Sequence, residues 1–272
     1  MFRNILNAIR TAASQLFLNW KTGLAFVVLY AAFVFSVYLF FTTAEARIWQ
    51  VALTFLLIFL IPVLFFVLQT LGVKYTNTDS KLSDLLAQAG REFWKLLLIS
   101  LPFIALIWLL VWGVNKIEFM SVTGIREAAM SSEQIKTGES RIKLINMAAF
   151  AVNGLLLYFV LPLFSIQLWI AVLRDGFKQT LRRIGILLFK AFAPRLVITY
   201  LLGFLVFGIL PYFIITTRTP IKSPWMDLSI LGVRIALALL VVLAGWVVTL
   251  GALKILTMES PSNAPLPPAE QL

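Results

Sequence analysis

The chain has 272 residues, of which 61% are hydrophobic and 13% are charged, and it contains no cysteine and no histidine. About a quarter of an average soluble domain is charged, so this composition excludes an ordinary soluble protein. It also excludes disulfides, thiolate metal sites and histidine acid–base chemistry, and we expect no catalytic residue, no metal site and no cofactor. The formal charge is +11, which in so apolar a chain predicts contact with anionic lipid rather than with nucleic acid.

The apolar residues fall into six runs, and about 20 such residues suffice to cross a bilayer as a helix. Strands of a membrane barrel would alternate lipid-facing and lumen-facing residues, whereas these runs are continuously apolar. The sequence therefore predicts an all-α integral membrane protein with six transmembrane helices. The runs lie at 24–41, 51–71, 96–114, 147–173, 196–216 and 228–253.

Amphipathic segments precede the first, third and fifth runs. In each segment apolar residues recur at spacings of three and four, opposite polar and basic residues, which is typical of a helix lying in the headgroup plane. In the last segment Lys178, Arg182 and Arg183 share the polar face, so we predict that they contact anionic lipid headgroups. The three segments are 2–19, 82–93 and 176–189.

An aromatic residue followed by lysine stands where each amphipathic segment meets its apolar run. The aromatic ring is suited to the membrane interface, and the lysine reaches the lipid phosphates beside it. We predict that these six residues are interface anchors, each pair marking an elbow at which an interfacial helix turns into the bilayer. The pairs are Trp20–Lys21, Trp94–Lys95 and Phe189–Lys190.

Prolines stand in the middle of the second and fourth runs, at Pro62 and Pro162, and a basic residue follows each after twelve positions, at Lys74 and Arg174. This recurrence predicts three tandem units, each an interfacial helix plus a helical hairpin, in a single membrane domain at 1–257. The units are 2–72, 79–173 and 174–256, and a disordered, proline-rich cytoplasmic tail is expected at 258–272.

Three polar side chains lie deepest in the apolar runs, namely Gln69, Asn153 and Gln167. One interpretation is that they form hydrogen bonds between helices, at about 1 kcal/mol each. The other is that they line a central pocket between the repeats, because mid-span prolines free backbone carbonyls that can line such a site.

The basic residues predict the orientation of the chain. With the N-terminus inside, fourteen of the 23 basic residues fall on the inner side, and basic residues collect on the cytoplasmic side of membrane proteins. Both termini are therefore expected in the cytoplasm. The longest polar segment, 115–143, then becomes an outer loop. One interpretation is that it is a solvated connector, and the other is that a protein partner docks on it, because long loops are often functional.

The repeated pattern of amphipathic helix, aromatic–basic step and helical hairpin, from about Phe2 to Lys254, resembles the glycerophosphoryl diester phosphodiesterase membrane-domain family and its uncharacterised bacterial relatives. In some members of that family the membrane part is fused to a soluble catalytic barrel, for which we see no room in this chain. The resemblance thus implies a role in lipid or envelope processes without hydrolysis.

The sequence favours a non-enzymatic integral membrane protein of a bacterial inner membrane, acting as a scaffold or accessory in lipid or envelope processes. The alternative is a transporter or channel for a lipid-like or small substrate, with a central pocket between the repeats. A cavity open to the inner face would favour the transporter, and a tightly filled bundle would favour the scaffold.

Overall fold

The computed structural model describes residues 1–44, 46–76, 81–128, 132–217 and 224–258. These residues form helices joined by short connections, with no strand among them. The tail predicted to be disordered lies outside the described residues from position 259 onward.

The described ranges contain α-helices and two π-helical segments, and the π segments join α5 to α6 and α9 to α10. The π segments are Leu156–Val160 and Leu205–Ile209. The α-helices are α1 Phe2–Leu18, α2 Trp20–Thr42, α3 Ile48–Lys74, α4 Leu82–Ala128, α5 Ser132–Leu155, α6 Leu161–Asp175, α7 Phe177–Arg182, α8 Ile184–Ala191, α9 Pro194–Phe204, α10 Leu210–Thr216 and α11 Pro224–Met258.

Six helical stretches are long and apolar enough to cross a membrane, which confirms the predicted all-α, six-span class. The fourth combines most of α5 with the first π segment and α6, and the fifth combines α9, the second π segment and α10. The stretches are Trp20–Thr42, Ile48–Lys74, Leu82–Ile125, Gly138–Asp175, Pro194–Thr216 and Trp225–Met258.

The π segments end just before prolines, Pro162 in α6 and Pro211 in α10. A proline inside a helix has no N–H, and its ring clashes with the carbonyl four residues earlier, so the preceding turn widens. For Pro162 that carbonyl belongs to Tyr158, and it accepts a hydrogen bond of 2.6 Å from the Tyr200 hydroxyl on α9. The proline thus exposes an acceptor that ties the fourth span to the fifth.

The centre of the bundle is α6, in which ten successive residues, 163–172, are buried. A helix that is buried on all sides must be apolar on all sides, and its few polar groups need partners. The Trp169 indole donates to the Ser100 hydroxyl of α4 at 2.8 Å. The Phe164 ring packs edge-on against Phe103 of α4, with 4.4 Å between the ring centroids. The interior is thus filled by side chains along this helix.

The predicted outer loop at 115–143 is largely helical instead. Helix α4 continues to Ala128 and α5 begins at Ser132, so the two form an extended hairpin. With 47 residues and a rise of about 1.5 Å per residue, α4 is far longer than a bilayer core of about 30 Å. Asn153 on α5 donates to the Asn115 carbonyl oxygen on α4 at 2.7 Å, which fastens the base of the hairpin.

The three predicted elbows differ from one another. The first is a helix break at Asn19, whose side chain accepts a hydrogen bond from the Thr22 N–H and so caps the start of α2. The last is a break before Pro194, since proline holds the preceding Ala193 in an extended conformation.

The second predicted elbow is not a break between helices, because α4 runs without interruption through Trp94–Lys95. This stretch has no capping residue and no proline at the junction, and Glu92 lies 3.9 Å from Lys95 one turn later, a spacing that supports a continuous helix. The three predicted units therefore do not share the same helix boundaries, since only the first and the last have a helix break near the aromatic–lysine step.

Candidate functional site

One end of the bundle gathers the basic residues, and we call it the basic end. Successive spans alternate in direction, so α2, α4 and α9 begin where α3, α6 and α11 finish. Helices α1, α7 and α8 lie at the same end. The fourteen basic residues of this end are Arg3, Arg10, Lys21, Lys74, Lys81, Arg91, Lys95, Arg174, Lys178, Arg182, Arg183, Lys190, Arg195 and Lys254.

A sharp corner follows α6 at this end. Gly176 has a φ of 82°, a left-handed conformation that favours glycine. Its N–H donates to the Val172 carbonyl at 3.0 Å and closes α6. Its own carbonyl accepts the Thr180 hydroxyl at 2.8 Å, which secures the first turn of α7. The glycine therefore ends a buried helix and starts a short exposed one. We call the segment from Arg174 to Lys190 the α6–α8 corner.

Two adjoining clefts open on the α6–α8 corner. The first has a volume of about 470 Å³ and is lined by Lys178, Arg182 and Arg183, among others. The second has a volume of about 370 Å³ and is lined by Arg174 and Lys190, with Arg183 shared between the two. The three residues predicted to contact headgroups therefore line one cleft together.

The charge of the α6–α8 corner is strongly positive. Its one carboxylate, Asp175, lines both clefts. Arg174 binds this carboxylate in a fork, with Nε 2.7 Å from one oxygen and a terminal guanidinium nitrogen 2.8 Å from the other. Fork-shaped pairs of this kind are the stronger class of ion pair. Five basic side chains thus border the two clefts against a single carboxylate, which is the arrangement expected for an anion such as a phosphate.

The aromatic members of the predicted anchors are exposed at the basic end. Trp20, the first residue of α2, is 67% exposed, Phe189 is 82% exposed, and Trp94 is 47% exposed. Trp20 directly follows the helix break at Asn19. Phe189 instead lies in the last turn of α8, before the helix break that precedes Pro194. Their exposure is compatible with an interfacial position, which stays a prediction. The lysine members are Lys21, Lys95 and Lys190.

The three polar residues considered for a central pocket have separate partners. Gln69 on α3 accepts a 2.8 Å hydrogen bond from the Trp246 indole on α11. Gln167 on α6 accepts one of 3.2 Å from the Thr257 hydroxyl, also on α11. Asn153 is bonded far away in the α4–α5 hairpin. Each of the three therefore makes one side-chain hydrogen bond between helices. Among the described residues, the buried amide nitrogen of Gln167 and the buried amide oxygen of Asn153 have no hydrogen-bond partner.

An internal polar cluster at the basic end was missed by sequence reasoning. Lys74 at the end of α3 lies 2.7 Å from the Glu92 carboxylate and donates to Gln88 at 3.2 Å, both on α4. Lys254 of α11, only 5% exposed, donates to the Thr76 hydroxyl at 2.9 Å. These partners lie 14 to 178 positions apart in the chain, and no local pattern pairs them.

Tyr75 joins three helices beside this cluster. Its hydroxyl lies 3.2 Å from the Ala12 carbonyl of α1 and 3.3 Å from the Val247 carbonyl of α11, and it donates its single proton between them. Burial raises the pKa of Tyr75, so the hydroxyl keeps this proton at neutral pH. Gly251 has no side chain where the tyrosine ring packs, and a Cβ there would overlap the hydroxyl. The basic end is thus closed by direct contacts around Tyr75.

The fold and this site define a multi-pass α-helical membrane protein with a basic, cleft-bearing corner. Among the described residues no group of three or more carboxylate side chains lies together as a metal site would require. Comparison with protein-family models, with characterised proteins and with solved structures gives no match to this chain. The resemblance to the glycerophosphoryl diester phosphodiesterase membrane-domain family therefore stays a prediction.

Proposed function

We propose that this chain is a non-enzymatic membrane protein that binds anionic lipid headgroups at the α6–α8 corner. In this role it serves as a scaffold or accessory in lipid or envelope processes of a bacterial inner membrane. The observation that carries the proposal is the pair of adjoining clefts bordered by five basic side chains, whose single carboxylate is already bonded to Arg174.

Electrostatics makes this corner suited to lipid phosphates. A basic residue near an anionic leaflet contributes about 1 kcal/mol of binding free energy. Guanidinium groups also match a phosphate with two parallel hydrogen bonds. Since Lys178, Arg182 and Arg183 line one cleft, one headgroup can engage more than one of them.

The filled interior favours a scaffold over a transporter. Residues 163–172 of α6 are buried in succession, and Gln69 and Gln167 are bonded to side chains of α11. A central substrate pocket would need these amides turned toward a cavity. The proposal also places the basic end in the cytoplasm, because basic residues collect there and the inner leaflet is anionic.

The test is lipid selectivity of the purified protein in nanodiscs of mixed phosphatidylglycerol and phosphatidylcholine. Native mass spectrometry would count the lipids retained. Removal of three corner charges in Lys178→Gln/Arg182→Gln/Arg183→Gln should lower the preference of the corner for phosphatidylglycerol about a hundredfold, at about 1 kcal/mol, or about fivefold, per residue.

The matched control is Lys116→Gln/Arg141→Gln/Lys143→Gln. It removes three exposed basic residues at the opposite end of the bundle and should change the preference little. Equal retention of phosphatidylglycerol by the corner variant and the unchanged protein would contradict the proposal and leave the basic residues as determinants of topology only.

A further inference from the structure

A further cleft, which is apolar, lies between α1, α9 and α11. It has a volume of about 430 Å³, within the usual range of small-ligand sites, which is about 300–1,000 Å³. We call it the α1 groove. Leu6 and Phe17 of α1 line one side of the groove. Its other sides are formed by the fifth span, with Leu202 and Val206, and by the sixth span, with Ala244 and Val248.

The α1 groove is apolar because its two threonines turn their hydroxyl groups away. Thr199 donates to the Arg195 carbonyl at 2.7 Å, and Thr249 donates to the Gly245 carbonyl at 2.6 Å. In both bonds the acceptor is the residue four positions earlier in the same helix, so the threonine methyl groups are the part that lines the groove. A cavity without polar partners does not hold ordered water.

Both flanking helices are long and apolar enough to cross a membrane, so we expect the opening of the groove to face hydrocarbon. Gly203 allows the fifth span to pack directly on Thr249 of α11, where a Cβ would overlap the threonine side chain. This close contact fixes the floor of the groove, and α1 lies across it.

Two arginines of α1 stand next to groove-lining residues by helical spacing, although neither lines the groove itself. Arg3 and Arg10 lie three residues before and four residues after the groove-lining Leu6, and Arg10 lies seven before Phe17. These spacings put all four side chains on one edge of the helix. Both arginines are exposed, and the sequence of α1 contains no acidic residue. The apolar groove is thus edged by positive charge.

We infer that the α1 groove holds one acyl chain of an anionic phospholipid, whose phosphate is bound by Arg3 and Arg10. Hydrocarbon tails of the bilayer compete for an apolar groove on equal terms, so burial of the chain gives little selectivity by itself. Selectivity must come from the headgroup, and the guanidinium groups at the edge provide it. This site lies on other helices than the α6–α8 corner and does not depend on it.

The test uses two photoreactive probes in nanodiscs, phosphatidylglycerol and phosphatidylcholine, each with a diazirine in the same acyl chain. Cross-links should map to peptides containing Leu202–Val206 and Ala244–Val248, with a higher yield for phosphatidylglycerol. Arg3→Gln/Arg10→Gln should lower the phosphatidylglycerol yield toward that of phosphatidylcholine, by about fivefold for each arginine. The corner variant Lys178→Gln/Arg182→Gln/Arg183→Gln should leave these cross-links unchanged.

Filling the groove provides the second arm. Ala244→Phe should reduce cross-linking of both probes at these peptides several-fold, whereas Ala236→Phe, at an exposed position of the same helix, should not. Val206→Phe repeats the test at a side chain that is 44% exposed and therefore tolerates enlargement. Unchanged cross-linking in both groove variants would overturn the acyl-chain site, and equal yields for the two probes in the unchanged protein would overturn the arginine headgroup site.

Discussion

Two groups of basic residues at the basic end have different surroundings. Lys74 and Lys254 are held inside the bundle by Glu92, Gln88 and Thr76. Lys178, Arg182 and Arg183 instead line an open cleft at the α6–α8 corner. The first group connects helices, and the second faces outward.

The difference shows that basic residues counted on one side of a membrane can have two different roles. Some pair with other residues inside the protein, and others can face the lipid headgroups. A lysine at low exposure must be paired, because removing a charge from water is costly. An exposed basic residue needs no protein partner and keeps its charge for headgroups. The orientation argument uses both groups, whereas lipid binding is expected of the second only.

The orientation of the chain in the membrane should give the largest measured effect, because each labelling site is either accessible or inaccessible in intact spheroplasts. The chain has no cysteine, so Gln179→Cys at the corner and Glu139→Cys at the opposite end are clean labelling sites. In spheroplasts an impermeant thiol reagent should label Glu139→Cys at once and Gln179→Cys only after the membrane is broken. The reverse pattern would place the basic end outside and remove its access to the anionic inner leaflet.

Packing around Tyr75 should give the next largest effect. Gly251→Ala puts a methyl group onto the tyrosine hydroxyl, and such overpacking costs about 1–3 kcal/mol. Gly232→Ala on the same helix meets no atom within 4 Å and should stabilise the helix by up to about 1 kcal/mol. Thermal unfolding in detergent compares the two, and equal shifts would show that contacts around Tyr75 do not close the basic end.

The bond between the fourth and fifth spans should have a smaller effect. Tyr200→Phe leaves the Tyr158 carbonyl without its 2.6 Å hydrogen bond, at a cost of about 1 kcal/mol. In the Pro162→Ala background the restored N–H can bond that carbonyl, so Tyr200→Phe should cost less there. A double-mutant cycle of unfolding free energies measures this coupling, and strict additivity would contradict the role given to the proline.

Composition was enough to predict the helical class and the six spans, because apolar length alone decides which segments cross a bilayer. The first and last helix breaks also have local causes, the capping Asn19 and the residue before Pro194. The continuous α4 was not predicted, since an aromatic–lysine step resembles an anchor whether or not a helix ends there. The extended α4–α5 hairpin was not predicted, since a long polar segment between two apolar runs resembles a loop even where it contains no proline.

The α6–α8 corner was predicted in part. Lys178, Arg182 and Arg183 were predicted from the spacing of one helix over 176–189, whereas the structure breaks this segment at Arg183 between α7 and α8. The contributions of Arg174 and Lys190 to the second cleft depend on the turn at Gly176. The pairing of Lys254 with Thr76 joins residues 178 positions apart and depends on tertiary packing. A single sequence contains no local signal for such a contact.

The central claim is that the two groups of basic residues have separate roles, and one paired measurement tests it most directly. Unfolding free energy and phosphatidylglycerol selectivity would both be measured for Lys74→Gln and for Lys178→Gln/Arg182→Gln/Arg183→Gln. Lys74→Gln should lower stability by about 1.5–3 kcal/mol, because it removes the charged hydrogen bond to Gln88 and the ion pair with Glu92, and leave selectivity unchanged. The corner variant should leave stability within about 0.5 kcal/mol and lower the selectivity. A corner variant that loses stability and keeps its selectivity would contradict the account.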